Sequence, residues 1–163
     1  MILLIVLGII LIIPMLFGFA VQLFRKSNEP LENNMLPPEG YLAINLFGLI
    51  LCRKGDKSRI DERTVRHEAI HTAQMKNMLY SLFYIWYGIE WFIKLWFCIG
   101  EAKVNYKYRI KKGFLSMWGT TAYHNLSFER EAYQNHDDLN YLSNRKFFAH
   151  VKYILVHSVR NIR

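Results

Sequence analysis

His67-Glu68-Ala69-Ile70-His71 is the stretch of this chain whose residue types and spacing can do chemistry. Two histidines four apart lie one helical turn apart on the same face, so both imidazoles can reach a single metal ion. Glu68, beside the first of them, is placed to polarise a water at that metal and take its proton. The pattern predicts His67 and His71 as metal ligands and Glu68 as a general base. The competing reading is a pair of solvated histidines on a helix face, and a third ligand elsewhere in the chain would separate the two.

Catalytic zinc usually keeps three protein ligands and one open position for water. Two imidazoles and a carboxylate suit Zn²⁺ better than softer or harder ions. Phe128-Glu129-Arg130-Glu131-Ala132-Tyr133 offers two carboxylates. Ser127 is an N-cap candidate for a helix predicted to run through about Leu142. Residues two apart on a helix point about 200° apart, so only one of Glu129 and Glu131 can face a metal. Acids in a first turn also stabilise a helix through its dipole, by about 0.3–1 kcal/mol each. That alone accounts for both glutamates, and only their co-occurrence with the HExxH pattern favours a ligand.

Taken together, HExxH, an apolar stretch and a later FExxA resemble the gluzincin metallopeptidases, in which a Glu on a later helix completes the site. The pattern is most similar to the membrane-bound branch that contains the CAAX prenyl proteases, whose later motif runs Phe-Glu-x-x-Ala-Asp. It also resembles small, uncharacterised membrane-anchored HExxH proteins of bacteria. The likeness rests on His67–His71 and Phe128–Tyr133. It implies Glu129 as the third ligand, with Glu131 as the alternative if the register differs. In that family the Asp one turn after the Glu orients a metal-binding His. Tyr133 stands there in this chain, and its hydroxyl is the implied replacement; with Glu131 as ligand, Asn135 takes that place.

The elements that must position these residues begin with an apolar segment. Met1 to Phe24 holds no charged side chain and one polar residue, Gln22. At ~1.5 Å per residue it can cross a ~30 Å hydrocarbon layer, and membrane helices tolerate a proline such as Pro14. Gly18-Phe19-Ala20 offers a small-x-small cleavage site, but no basic residue precedes the apolar run, so a retained single-pass anchor is expected. Arg25 and Lys26 follow it directly, which puts the main domain in the cytoplasm by the positive-inside rule.

Residues 25–40, with Pro30, Pro37-Pro38 and Gly40, read as a linker, and 41–163 as one zincin-like domain. Tyr41 to Cys52 predicts one strand or a tight hairpin turning near Phe47-Gly48. Ser58 and Asp61 are cap candidates for a helix over Glu62 to Met78 that carries the HExxH. Residues 79–99 are strongly apolar and hold Glu90 and Lys94, an i,i+4 pair on one helix. Basic residues flank both ends, and Trp86, Trp91 and Trp96 suit a membrane interface. A helix lying in or dipping into the cytoplasmic leaflet is expected. Glu101 to Lys112 is rich in Lys and Tyr and is expected along the headgroups, Gly113 to Asn125 reads as irregular, and Arg145 to Arg163 suits a basic amphipathic helix. His124 is an electrophile candidate, but a loop histidine with no role is the plainer reading, and Tyr123 shares that reading. His136, beside Asp137 and Asp138, reads as lying on a solvated face, and His150 and His157 as surface or interface residues.

The chain of 163 residues carries a net charge of +8 and is 15% aromatic. Tyr and Trp beside Lys and Arg point to a bilayer as partner, and no nucleic-acid motif supports the competing reading of that charge. Cys52 and Cys98 form no CxxC, so nothing supports a disulfide framework or a Cys-based zinc site, and two buried free thiols are expected. The expected fold is mainly α with a small β element, a transmembrane helix leading into a minimal zincin-like helical domain. The expected function is hydrolysis of a peptide or protein near the membrane by a zinc metallopeptidase. The alternative is a non-catalytic membrane scaffold or partner-binding protein with a zincin-like core.

Overall fold

A computed structural model describes residues 1–25, 27–38, 40–100, 102–103 and 114–155. The fold is mainly helical, with one small sheet and an N-terminal apolar helix. The chain divides into two compact units, Met1–Tyr84 with Ala132–Phe148, and Ile85–Glu131 with Ala149–Arg163.

In the first unit, α1 spans Ile2–Phe24 and holds Pro14 internally. Its segment Ile5–Phe24 has a mean hydropathy of 2.5 and is 6% buried, so the helix is long and apolar enough to cross a membrane. From Leu11 onward it nevertheless meets the rest of the unit. The Phe17 ring packs edge-on against Phe47 at 5.2 Å, and Phe19 against Tyr80 at 5.4 Å. A Cβ at Gly18 would run into the Tyr80 ring. Ser81 Oγ donates a hydrogen bond to the Leu11 carbonyl.

The sheet has the order β1-β3-β2. Strand β1 is Leu31–Asn33, β2 is Ile44–Leu46 and β3 is Leu49–Arg53. The linker expected over 25–40 therefore contains a strand, which pairs in parallel with β3 as Leu31↔Leu51 and Asn33↔Arg53. Three residues are too few to show a period-two pattern, so the signal was invisible in the sequence. What ends β1 is local: Asn33 Oδ1 accepts from the Met35 and Leu36 amides.

Strands β2 and β3 form the hairpin, in the register Ile44↔Leu51, Asn45↔Ile50 and Leu46↔Leu49. The turn is Phe47-Gly48, with φ of 55° and 86°. Two positive φ values are what a tight two-residue hairpin needs, and glycine meets that need without strain. Phe47 does not, and two bonds hold the turn. The Phe47 amide donates to Tyr84 Oη at 2.8 Å, and the Gly48 amide to Asn45 Oδ1 at 2.9 Å.

Helix α2 is Glu62–Asn77, capped by Asp61, which accepts from the Thr64 amide. Asp61 is the cap in preference to Ser58, because its carboxylate meets both the Thr64 amide at 2.8 Å and the Thr64 hydroxyl at 2.7 Å. Burial of Ile70 and Met75 on α2, of Ile50 and Cys52 on β3 and of Tyr80 supplies the core of this unit. Both cysteines are free and buried, as expected.

Helix α3, Ser81–Phe97, starts in the first unit and supplies most of its length to the second. Glu90 and Lys94 do not act as the pair their spacing suggested. Both are buried, but the Glu90 carboxylate accepts from the Ser127 amide at 2.8 Å and hydroxyl at 2.7 Å. Lys94 Nζ donates to the Ile154 carbonyl at 2.8 Å. Tertiary partners that sequence spacing cannot display outcompete an i,i+4 contact of a few tenths of a kcal/mol.

Helix α4, Phe114–His124, replaces the irregular segment expected over Gly113 to Asn125. Its Thr120 and Thr121 hydroxyls bond back to the Ser116 and Met117 carbonyls, and the Trp118 indole donates to the Leu95 carbonyl at 2.6 Å. Packing on α3 thus overrides the weak helix propensity of Gly and Thr.

Helix α5 is Ser127–Asn135, shorter than the expected run to Leu142. Asp138 Oδ1 accepts from the Asn140 amide, a turn that competes with helix continuation, and α6 follows only at Tyr141–Asn144. The basic amphipathic helix expected over Arg145 to Arg163 is, where described, a short 3₁₀ turn at Ala149–Tyr153. Residues 104–113 and 156–163, including His157, lie outside the described residues.

Candidate metal centre

Helix α2 carries the histidines on one face, as four-residue spacing requires. His67 and His71 are both buried, and their Nε2 atoms face each other at 3.1 Å. Two nitrogens each ~2.0–2.1 Å from one tetrahedral ion stand about 3.3 Å apart, so the pair is already close to chelating separation. Glu129 is buried as well. His67, His71 and Glu129 each offer one ligand atom, these atoms lie within 4.8 Å of one another, and the group could hold a metal ion. Glu131, the alternative, is fully buried but is not among the three.

The surroundings orient each donor. Gln74, one turn beyond His71, is fully buried and places Oε1 2.7 Å from His71 Nδ1. An amide oxygen there accepts a proton held on Nδ1, which leaves the Nε2 lone pair directed at His67 Nε2. Tyr87 Oη donates to Glu129 Oε1 at 3.0 Å, and the Tyr87 ring stacks on Phe128. Glu90, through Ser127, caps the turn that holds Glu129. Ser127 is thus not the acceptor cap its sequence suggested; it is the first helical residue, and both its groups donate to Glu90.

Tyr133 reaches the histidines through its ring, which packs against His67 at 4.5 Å and 61°. His136, expected on a solvated face, is buried, with its ring 5.6 Å from that of His67. Burial, then the nearby Arg63 and His67, push its pKa below the ordinary histidine value. Glu129, Tyr133 and His136 are spaced i, i+4 and i+7 on one helical face, a periodicity that could have revealed His136. Gln74 could have been found as the i+3 neighbour of His71. Nothing local marks Tyr87, whose relation to Glu129 is tertiary.

Helix α2 is fastened on two sides. Asn45 Nδ2, on β2, donates to the Glu68 carbonyl at 2.6 Å and to Thr72 Oγ1 at 2.8 Å. Arg66 Nε donates to the His136 carbonyl at 2.8 Å, and Arg63 pairs with Asp137 at 2.9 Å. Glu68 itself is buried. His124 ends α4 and packs against Tyr123, outside the cluster. His150 is buried against Phe128 rather than exposed.

Comparison with family models, curated proteins and solved structures finds no match.

Proposed function

We propose that this chain is a membrane-anchored zinc metallopeptidase acting on a peptide or protein near the bilayer. The observation that carries the reading is the cluster of two buried imidazoles and one buried carboxylate, with the motif glutamate on the helix of the imidazoles. His67, His71 and Glu129 would hold the ion, and three protein ligands leave the fourth position for water. Gln74 supports this by fixing the His71 tautomer, and Tyr87 by orienting the carboxylate. Zinc bound there supplies Lewis acidity and makes a water acidic enough to lose a proton near neutral pH.

The remaining steps belong to side chains. Glu68 takes a proton from the attacking water, whose oxygen forms a bond to the peptide carbonyl carbon. The carbon–nitrogen bond breaks, and Glu68 returns the proton to the departing amine.

Three observations support α1 as a retained anchor. Its apolar surface is too exposed for the core helix of a soluble protein. Gly18, Phe17 and Leu11 are built into contacts with Tyr80, Phe47 and Ser81, which a removable leader would not need. Its length matches a bilayer. Arg25 after the span favours a cytoplasmic domain.

The test is zinc analysis of the purified protein beside peptide hydrolysis by Glu68→Gln. The expected result is about one zinc per chain in both proteins and hydrolysis only in the unsubstituted one. Zinc-free protein whose stability ignores chelator would point to the scaffold reading instead.

A further inference from the structure

We infer that the turn joining α2 to α3, Met78–Ser81, sits inside the hydrocarbon of the bilayer, with acyl chains as the partner that covers it. This rests on α1 being the membrane span and is independent of the hydrolytic reading.

All the contacts concerned lie within the first unit. Tyr80 meets α1 at Gly18, and Ser81 meets it at Leu11. Gly18 stands six residues before Phe24, the end of the helix, and Leu11 thirteen. At ~1.5 Å per residue these are depths of about 9 Å and about 20 Å along a hydrocarbon core ~30 Å thick. A turn in contact with both positions shares their depth.

The lower half of α1 could escape lipid only if the domain wrapped it, and it does not. Ile13 and Leu16 are each 59% exposed, and Leu23 is 77% exposed. Apolar surface of that extent needs cover, and lipid is the cover available to a spanning helix. The membrane therefore runs alongside the half of α1 that touches the domain.

The turn itself is built for such a place. Leu79, at its tip, and Leu82, one residue beyond it, expose apolar side chains at 46% and 45%. The Ser81 hydroxyl is satisfied by a helix carbonyl, as a polar group in lipid must be. Tyr80 is fully buried, with its ring against Gly18 and Phe19 of α1. Lys76, about a turn earlier and exposed, has a four-carbon stem that can carry its ammonium toward the headgroups. The far end of the helix that carries His67 and His71 is thereby lodged in the membrane.

Collision measurements on nitroxide labels test this with the full chain in phosphatidylcholine–phosphatidylglycerol vesicles. Labels are placed at Leu79→Cys, at Ile9→Cys on α1 and at Lys54→Cys on the exposed charged turn. The unsubstituted chain, whose two cysteines are buried, gives the background. The expected result is that Leu79 and Ile9 meet oxygen several-fold more often than a water-soluble nickel chelate, with the reverse at Lys54. A nickel-accessible Leu79 beside a shielded Ile9 would overturn the inference and leave the anchor standing. A Leu79 label shielded from both relaxants would also overturn it, pointing to a protein cover such as a second copy. An Ile9 label open to nickel would remove the anchor and the inference together. None of these outcomes depends on zinc, which is measured separately.

Discussion

Gln74 Oε1 lies 2.7 Å from His71 Nδ1, and that contact decides which nitrogen of His71 is left to face His67. Gln74→Leu keeps the bulk and removes the acceptor. Partners of this kind typically tune metal affinity by about 10–100-fold. The variant should bind zinc weaker by that factor in a chelator competition, while Gln74→Glu, which restores an acceptor, should recover most of it. Equal affinity in both variants would remove Gln74 from the site.

Glu90 is the acceptor for both groups of Ser127, two residues before Glu129. Glu90→Ala leaves a buried amide without its partner, at a cost of about 1–3 kcal/mol. It also loosens the turn that holds the third donor. We expect a lower midpoint of thermal unfolding together with weaker zinc binding. Glu90→Gln should be milder, because an amide oxygen can still accept from the Ser127 amide. A stability loss with unchanged zinc affinity would mean that Glu90 merely supports the fold.

Gly18 and Gly8 lie on the same helix and predict opposite outcomes. A Cβ at Gly18 collides with the Tyr80 ring, whereas nothing lies within 4 Å of one at Gly8. Gly18→Leu should increase protease susceptibility of the domain in detergent, and Gly8→Leu should leave it unchanged. Matching digestion patterns for the two variants would show that α1 does not pack on Tyr80.

Asp61 gives the acid limb of stability. Hydrogen bonds from the Thr64 hydroxyl and then the Thr64 amide hold its pKa below the ordinary aspartate value. A carboxylate depressed in the folded state contributes fully above its unfolded pKa of about 4, and loses that contribution as pH falls through the folded value. Asp61→Ala should therefore be less stable than the unsubstituted chain at pH 7, with the gap closing below pH ~4. Melting temperatures across that range check it, and a gap that does not change with pH would exclude the charged cap.

The sequence was legible where a signal is local. The HExxH helix, its Asp61 cap and the Phe47-Gly48 turn each follow from a few neighbouring residues. Legibility failed where a partner arrives from far along the chain. Spacing pairs Glu90 with Lys94, four residues away, yet its bonds go to Ser127, thirty-seven residues on. β1 was hidden by its three-residue length, and α4 by a Gly-Thr-Thr composition that packing on α3 overrules. Asp137 and Asp138 point to solvent around His136, which is in fact buried. The helical spacing from Glu129 carried the better information.

The short passage between α1 and β1 has a consequence for how firmly the chain is tethered. Phe24 and Leu31, the facing ends of the two elements, are separated by only six residues. The grip of Tyr80, Phe47 and Ser81 on α1 does not depend on that passage being intact. A protease that nicked it would leave the severed anchor still clasped by the domain, so shedding would demand unfolding as well as cutting.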